Sequence, residues 1–180
     1  MRPQRLWFDI LQSQQIDEKG RAEVVRLCTA AYREDFAFLF SVLPPEAGHV
    51  LARLDGELVS HAAWVTRWLY AGDLPPLRTA YVEAVATVPA HQRRGFGSAV
   101  MRRLAMSVSD YDLAALSPAN VHFYAEVGWE LWRGPLAVRC GEERWPTLGE
   151  TVMVLRLPRT PRGLDLDACL SADWRPGALW

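Results

Sequence analysis

The stretch that decides the fold reads Val85-Ala86-Thr87-Val88-Pro89-Ala90-His91-Gln92-Arg93-Arg94-Gly95-Phe96-Gly97-Ser98. It begins as an apolar strand, continues as a basic loop with two glycines, and ends where a helix is predicted over residues 98–109. The first N–H groups of a helix have no intrahelical acceptor, and the helix dipole adds positive potential, so this loop suits a phosphate group. The alternative is an ordinary tight connection that carries two surface arginines.

Two common phosphate motifs do not match this loop. A P-loop ends in Gly-Lys-Ser or Gly-Lys-Thr, and that ending is absent. A dinucleotide fingerprint has a third glycine where this chain has Val100. The motif that remains is Gln92-Arg93-Arg94-Gly95-Phe96-Gly97.

The rest of the chain alternates strand and helix patterns. Apolar runs predict strands over 6–11, 49–54, 57–70, 79–88, 113–116 and 151–157, and a short one over 129–133. Helical periodicity predicts helices over 17–32, 98–109 and 119–127. The Asp55-Gly56 pair predicts a hairpin, and from Pro158 onward we expect an irregular tail. This order predicts an α/β fold around one mixed sheet.

Composition excludes several classes of protein. The chain has 180 residues, of which 50% are hydrophobic, and a net charge of −1. These values argue against disorder and against nucleic-acid binding, although Arg93, Arg94, Arg102 and Arg103 lie close together. No run approaches the length of a membrane span, and the N-terminus has no secretory pattern. Three distant cysteines argue against disulfides and against a metal site, so we expect no metal and a cytoplasmic location.

Two motifs together carry a family resemblance. The glycine loop, followed downstream by Asn120-Val121-His122-Phe123-Tyr124-Ala125-Glu126-Val127-Gly128-Trp129, resembles the GCN5-related N-acetyltransferases. The resemblance implies a single domain over residues 1–180, a mixed central sheet with helices on both faces, and acetyl-CoA as co-substrate. The cofactor-binding residues that it implies are Val85, Ala86, Thr87, Gln92, Arg93, Arg94, Gly95, Phe96, Gly97, Ser98 and Asn120.

Further patches narrow the resemblance. The chain is similar to bacterial aminoglycoside 2′-N-acetyltransferases at Tyr81–Ala86, Ala115–Ser117, Trp132-x-Gly134-Pro135 and Asp173-Trp174-Arg175-x-Gly177-x-x-Trp180. This implies transfer of acetyl to the 2′-amine of an aminoglycoside, with residues 158–180 closing the acceptor site. The substrate-binding residues implied are Asp35, Glu83, Ser117 and Trp180. A homodimer is also expected.

Three groups are candidates for the chemistry. Glu83 lies in an otherwise apolar strand, where a carboxylate is costly unless it faces water or a cation; it is either the proton acceptor or a partner of Arg78. Tyr124 matches the family's general acid, and a phenol with a pKa of about 10 keeps its proton; the alternative is a core aromatic. The resemblance also implies that the N–H of Val85 is the oxyanion donor.

The sequence also departs from the aminoglycoside pattern. The family's Asp-rich loop is replaced by Thr147-Leu148-Gly149-Glu150, and Ala178 stands at another acidic position. A less acidic cleft suits an acceptor with few amines, such as kasugamycin. The rival hypotheses are an acetyltransferase for a peptide N-terminus or a polyamine, and a catalytically inactive acetyl-CoA-binding module.

Overall fold

The computed structural model describes residues 5–176 and 180. Within these residues there are ten strands: β1 Leu6–Gln12, β2 Gly48–Leu54, β3 Glu57–Ala71, β4 Leu77–Thr87, β5 Leu113–Leu116, β6 Glu130–Leu131, β7 Leu136–Cys140, β8 Glu143–Pro146, β9 Met153–Arg156 and β10 Leu170–Asp173. The α-helices are α1 Glu18–Tyr32, α2 Leu39–Val42, α3 Phe96–Ser107 and α4 Val121–Glu126. The predicted fold class is confirmed, because parallel and antiparallel pairs share one sheet.

The chain divides into two compact units. The first comprises the described residues up to Val65 together with Val82–Ser107, and the second comprises Thr66–Tyr81 and the chain from Val108 onward. The long strands β3 and β4 therefore contribute one half to each unit.

The first unit is built on the antiparallel set β1–β2–β3. The predicted Asp55-Gly56 turn joins β2 to β3 and places Leu54 opposite Glu57. Helix α1 starts one residue after the predicted position, since the Asp17 side chain accepts a hydrogen bond from Gly20 N at 2.8 Å and caps the helix. Nearly every residue of β2 is buried, which shows that both faces of this strand are covered.

The second unit contains the strand order β6-β9-β5-β4-β3-β10-β7-β8. Strand β5 is parallel to β4 and antiparallel to β9, while β10 is antiparallel to β3 and parallel to β7. Helix α4 begins at Val121 because the Asn120 side chain accepts from Phe123 N at 3.1 Å.

The expectation of an irregular tail from Pro158 onward was wrong. Residues Leu170–Asp173 form β10, which lies inside the sheet of the second unit. The hairpin β7–β8 was also missed. These strands have four or five residues and few β-branched or aromatic side chains, so their extended state depends on pairing with neighbours rather than on local preference.

The Trp132-x-Gly134-Pro135 segment contacts the residues directly before β10. The Trp132 indole donates to the Ala168 carbonyl at 2.9 Å, and Arg133 binds the Asp167 carboxylate with two nitrogens at 2.6 and 2.7 Å. A Cβ at Gly134 would overlap the carbonyl oxygens of Ala168 and Asp167, so this close approach requires glycine.

Candidate active site

The backbone of strand β4 is irregular at the residue after Glu83. Ala84 has a φ of 50°, a left-handed conformation that is rare for a residue with a side chain. The Ala84 carbonyl is 2.9 Å from His61 Nδ1, and the carbonyl of Val85 accepts a hydrogen bond from the Tyr32 hydroxyl at 2.8 Å. Glu83 is half-buried beside this turn. The backbone here is held in an irregular form at the position where sequence predicted the chemistry.

The loop after β4 leads to the N-terminus of α3. Gly95 has a φ of 84°, and a Cβ there would meet no atom within 4 Å, so the glycine serves the backbone conformation and an open approach. Helix α3 has 12 residues and no acidic side chain in its first turn. Its first N–H groups and its dipole therefore favour an anion. This geometry suits an anionic group such as a diphosphate.

The loop's own side chains are used mainly within the loop. The Gln92 amide donates to the Thr87 carbonyl at 3.2 Å, and Arg94 Nη1 lies 2.7 Å from His91 Nδ1. The Arg94 guanidinium also lies over the Phe96 ring. The backbone of this loop, more than these side chains, is arranged to receive an anion. Arg93 is exposed, and Ser98, in the first turn of α3, is half-buried.

Tyr124 lies on α4 in the second unit. It is 8% exposed, and its ring packs against Phe123 and Trp129 with centroid distances of 4.9 and 6.1 Å. Burial raises the pKa of Tyr124 to about 12. The phenol therefore holds its proton at neutral pH, as a proton donor must. Asn120 is the N-cap of the same helix, so its side-chain oxygen already has a structural role.

The predicted acceptor-binding residues lie in three places. Asp35 is exposed after α1, and its Oδ1 accepts from Ala37 N at 2.8 Å. Ser117 is exposed directly after β5. Trp180 is 7% exposed, and its indole donates to Thr147 Oγ1 at 2.9 Å, so the indole is anchored. The substitution noted at Ala178 falls outside the described residues.

Several carboxylates considered in the sequence are placed by the structure. The guanidinium of Arg78, the alternative partner of Glu83, donates to Asp110 at 3.1 Å. Glu142, Glu143 and Glu150, the carboxylates that could compensate for the lost acidic positions, are exposed. Among the residues that the structure describes, no group of three or more potential ligands could hold a metal ion. In the same part of the chain, no helix combines the length and the apolar character that crossing a membrane requires.

Sequence reasoning missed the side chains that hold β4. Tyr32, Ser60 and His61 each bond a carbonyl of β4, at Val85, Ala86 and Ala84 respectively. The main sequence signal was the presence of His49 and His61 in strands that are rich in apolar residues. A polar residue in such a strand indicates a specific partner, but not which partner.

The comparisons with known proteins agree with this geometry. Residues 14–132 match the family model described as an acetyltransferase (GNAT) domain. The chain belongs to the GNAT acetyltransferase family. It is 32% identical over 178 residues to an aminoglycoside 2′-N-acetyltransferase of Mycolicibacterium fortuitum, covering 95% of this chain and 90% of that protein. The resemblance inferred from the sequence motifs is confirmed at the level of the family.

Solved structures share the fold at low identity. The GNAT family N-acetyltransferase YhbS from Escherichia coli, in complex with CoA, superposes with a TM-score of 0.67 at 12% identity, covering 94% of this chain and 91% of that chain. Eis1 from Mycobacterium abscessus gives a TM-score of 0.59 at 20% identity over 73% of this chain. The chain spans only 33% of the Eis1 chain.

Proposed function

We propose that this protein transfers the acetyl group of acetyl-CoA to the 2′-amine of an aminoglycoside-type antibiotic. The observation that carries the proposal is the 32% identity, over nearly the whole chain, to an aminoglycoside 2′-N-acetyltransferase. The glycine loop at the N-terminus of α3 supports the choice of co-substrate, because its open backbone suits a diphosphate. Family membership by itself supports acetyl transfer, and the aminoglycoside is the finer part of the proposal.

Each step of the reaction has a proposed group. Glu83 accepts the proton of the acceptor ammonium through water, since an alkyl amine is mostly protonated at neutral pH. The Val85 N–H stabilises the oxyanion that forms as the amine adds to the thioester carbonyl. Tyr124 gives its proton to the departing thiolate as the C–S bond breaks.

The co-substrate is held by backbone and the acceptor by carboxylates. Arg94, Gly95 and Gly97 offer N–H groups to the diphosphate, with Gln92, Arg93, Phe96 and Ser98 around it, while Val85, Ala86, Thr87 and Asn120 line the pantetheine. Asp35, Glu83, Ser117 and Trp180 contact the acceptor. Transfer is direct within a ternary complex, in a domain spanning residues 1–180 whose segment 158–180 closes the acceptor site.

The favoured acceptor has few amines. The family's Asp-rich loop is replaced by Thr147–Glu150, and Thr147 is occupied with the Trp180 indole. Loss of two carboxylates that each contribute about 1 kcal/mol shifts preference about 10-fold or more. We therefore rank kasugamycin, which carries a carboxyl group of its own, ahead of kanamycin, gentamicin and neomycin.

A thiol-release assay with acetyl-CoA tests the proposal. The acceptors are the four antibiotics, spermidine and a short peptide, and NMR of the product locates the acetyl group. We expect the highest kcat/KM with kasugamycin, acetylated at the 2′ nitrogen. A preference for spermidine or the peptide would reject the aminoglycoside, and a tenfold preference for the multi-amine antibiotics would reject the low-amine ranking.

The variant Glu83→Gln tests the base within the same assay. We expect its kcat to fall about 100-fold near neutral pH, with a smaller loss at higher pH where free amine accumulates. If Glu83→Gln has the same kcat as the wild-type protein near neutral pH, Glu83 is not the base.

All three cysteines, Cys28, Cys140 and Cys169, are unpaired, and we propose a reducing cytoplasmic location. We also propose a homodimer, which light scattering tests.

A further inference from the structure

Three buried polar side chains form a line through the core of the first unit. Ser13 Oγ lies 2.8 Å from His49 Nε2, and His49 Nδ1 lies 2.9 Å from His61 Nε2. Both histidines are fully buried and Ser13 is 4% exposed. The line continues from His61 Nδ1 to the carbonyl of Ala84 at 2.9 Å. Buried Ser13 is thus linked through two imidazoles to the backbone of β4.

When both rings are neutral, the partners fix the direction of every hydrogen bond in this line. A carbonyl only accepts, so His61 Nδ1 carries the proton that is donated to Ala84. His61 Nε2 then accepts from His49 Nδ1–H, and His49 Nε2 accepts from the Ser13 hydroxyl. Both rings are neutral in this arrangement, with one proton each on Nδ1.

The surroundings keep both rings neutral and in place. Burial lowers the pKa of His49 to about 3, with added repulsion from His61 and Arg21, and burial lowers the pKa of His61 to about 4. The thiol of Cys28, 3.9 Å from His61 Nδ1, stays protonated because burial raises its pKa to about 12. Phe40 stacks on the His49 ring at a centroid distance of 5.5 Å.

The outer end of the line is anchored by an arginine. Arg21 donates to the Ser13 carbonyl at 2.9 Å and to the Ile16 carbonyl at 3.0 Å. Its guanidinium also lies 5.2 Å from the centroid of the Phe40 ring. The serine that starts the line is therefore fixed by the same helix, α1, that covers His61 with Cys28.

The inner end of the line meets the one residue of β4 with a left-handed backbone. A non-glycine residue keeps such a conformation only where its surroundings impose it. Ala84 lies between Glu83 and Val85 within β4, and its φ of 50° interrupts the extended backbone that joins them. The next two carbonyls of β4 are also bonded by side chains, Val85 by Tyr32 and Ala86 by Ser60.

We infer that Ser13, His49 and His61 form a positioning chain that fixes the backbone of Ala84 and thereby aims Glu83 and Val85 at the reacting groups. This inference rests on the proposed function, in which Glu83 accepts a proton and the Val85 N–H holds the oxyanion. The histidines exchange no proton with substrate, because the line ends on a carbonyl. They act through the backbone.

Two substitutions at His61 and a matched control test the inference by kinetics. His61→Leu removes the donor to Ala84, whereas His61→Asn keeps an N–H near the position of Nδ1. Val50→Ala makes a cavity at an equally buried site on β2, next to His49 but on the other face of the strand. All three are compared well below their Tm, per mole of folded protein.

We expect His61→Leu to lower kcat about 10-fold to 100-fold, the loss typical of a misplaced reacting group, with KM for acetyl-CoA changed less than about 3-fold. His61→Asn recovers most of the lost kcat, and Val50→Ala keeps kcat within about 2-fold. The inference is overturned if His61→Leu keeps full kcat, if His61→Asn is as poor as His61→Leu, or if Val50→Ala loses as much.

NMR provides a readout that needs no activity. In the wild-type protein at pH 6, nitrogen shifts of the two imidazoles should report neutral rings protonated at Nδ1, and His61→Leu should move the amide signals of Ala84 and Val85. A charged His61, an Nε2–H tautomer, or unmoved amide signals would overturn the inference. If the wild-type protein releases no thiol with any acceptor, the proposed function fails, and the NMR result still decides whether the chain fixes β4.

Discussion

The absence of a side chain at Gly95 keeps the predicted diphosphate site open. Its left-handed φ of 84° and empty Cβ position leave the backbone open, so an aspartate there adds conformational strain and a negative charge beside the phosphates. We expect Gly95→Asp to weaken acetyl-CoA binding by at least about 30-fold, or about 2 kcal/mol, measured by calorimetry. Gly95→Asn, which is neutral and tolerates this conformation, should lose much less.

Gly141→Asp is the matched control for this substitution. Gly141 also has a left-handed φ, of 63°, and an open Cβ position, but it lies in the turn between β7 and β8. We expect Gly141→Asp to reduce the free energy of unfolding about as much as Gly95→Asp does, and to leave the affinity for acetyl-CoA unchanged. Unchanged affinity in Gly95→Asp would place the diphosphate elsewhere.

The role of Tyr124 can be tested by removing only its hydroxyl group. Tyr124→Phe should lower kcat about 10-fold to 100-fold with little change in KM for acetyl-CoA, because only the proton to the thiolate is lost. Tyr111→Phe is the control, since Tyr111 is also 8% exposed and its hydroxyl bonds Thr66 at 2.7 Å in the same unit. Equal kcat in the two variants would make Tyr124 a core aromatic only.

At the scale of elements, the anchored tail gives a prediction about the acceptor. Thr147→Val removes the oxygen that accepts the Trp180 indole N–H. Loss of about 1 kcal/mol of anchoring should raise KM for the antibiotic about fivefold and leave KM for acetyl-CoA unchanged. Thr151→Val, at an exposed position nearby in sequence, should change neither constant. Steady-state kinetics with both substrates varied measures these constants. If Thr147→Val and Thr151→Val have the same KM for the antibiotic, the Trp180 anchor has no role in acceptor binding.

Elements with a strong local signal were predictable, and elements formed by pairing were not. The capped helix α1, the Asp55-Gly56 hairpin and the glycine loop before α3 follow from local chemistry, and the structure has them within two residues of the predicted bounds. Strand β10 has no such signal, because it is extended only between β3 and β7. The hydrogen bond from His61 to the Ala84 carbonyl joins residues that are 23 apart in sequence, and no local pattern specifies it.

At the scale of the whole molecule, the buried histidines predict sensitivity to acid. Both have a pKa in the folded protein far below the value of about 6.5 expected when unfolded, so the unfolded chain binds more protons as pH falls below 6.5. Their contribution to stability is complete above this pH and declines below it. We expect the free energy of unfolding to fall by about 3 kcal/mol between pH 6.5 and pH 5.

Denaturant titrations at several pH values measure this dependence. The double variant His49→Gln/His61→Asn should lose most of the decline, whereas His122→Gln, which removes a histidine whose side chain is 85% exposed, should keep it. An unchanged decline in the double variant would assign the acid sensitivity to other groups.

Strand β10 also has a consequence for biosynthesis. It is made after every other strand of its sheet, yet it lies between β3 and β7. Until the ribosome has released Leu170–Asp173, the edges of β3 and β7 that pair with β10 are exposed. Unpaired strand edges promote association with other chains. Premature termination before Leu170 should therefore yield chains that aggregate or are degraded, and chaperone demand should peak late in translation.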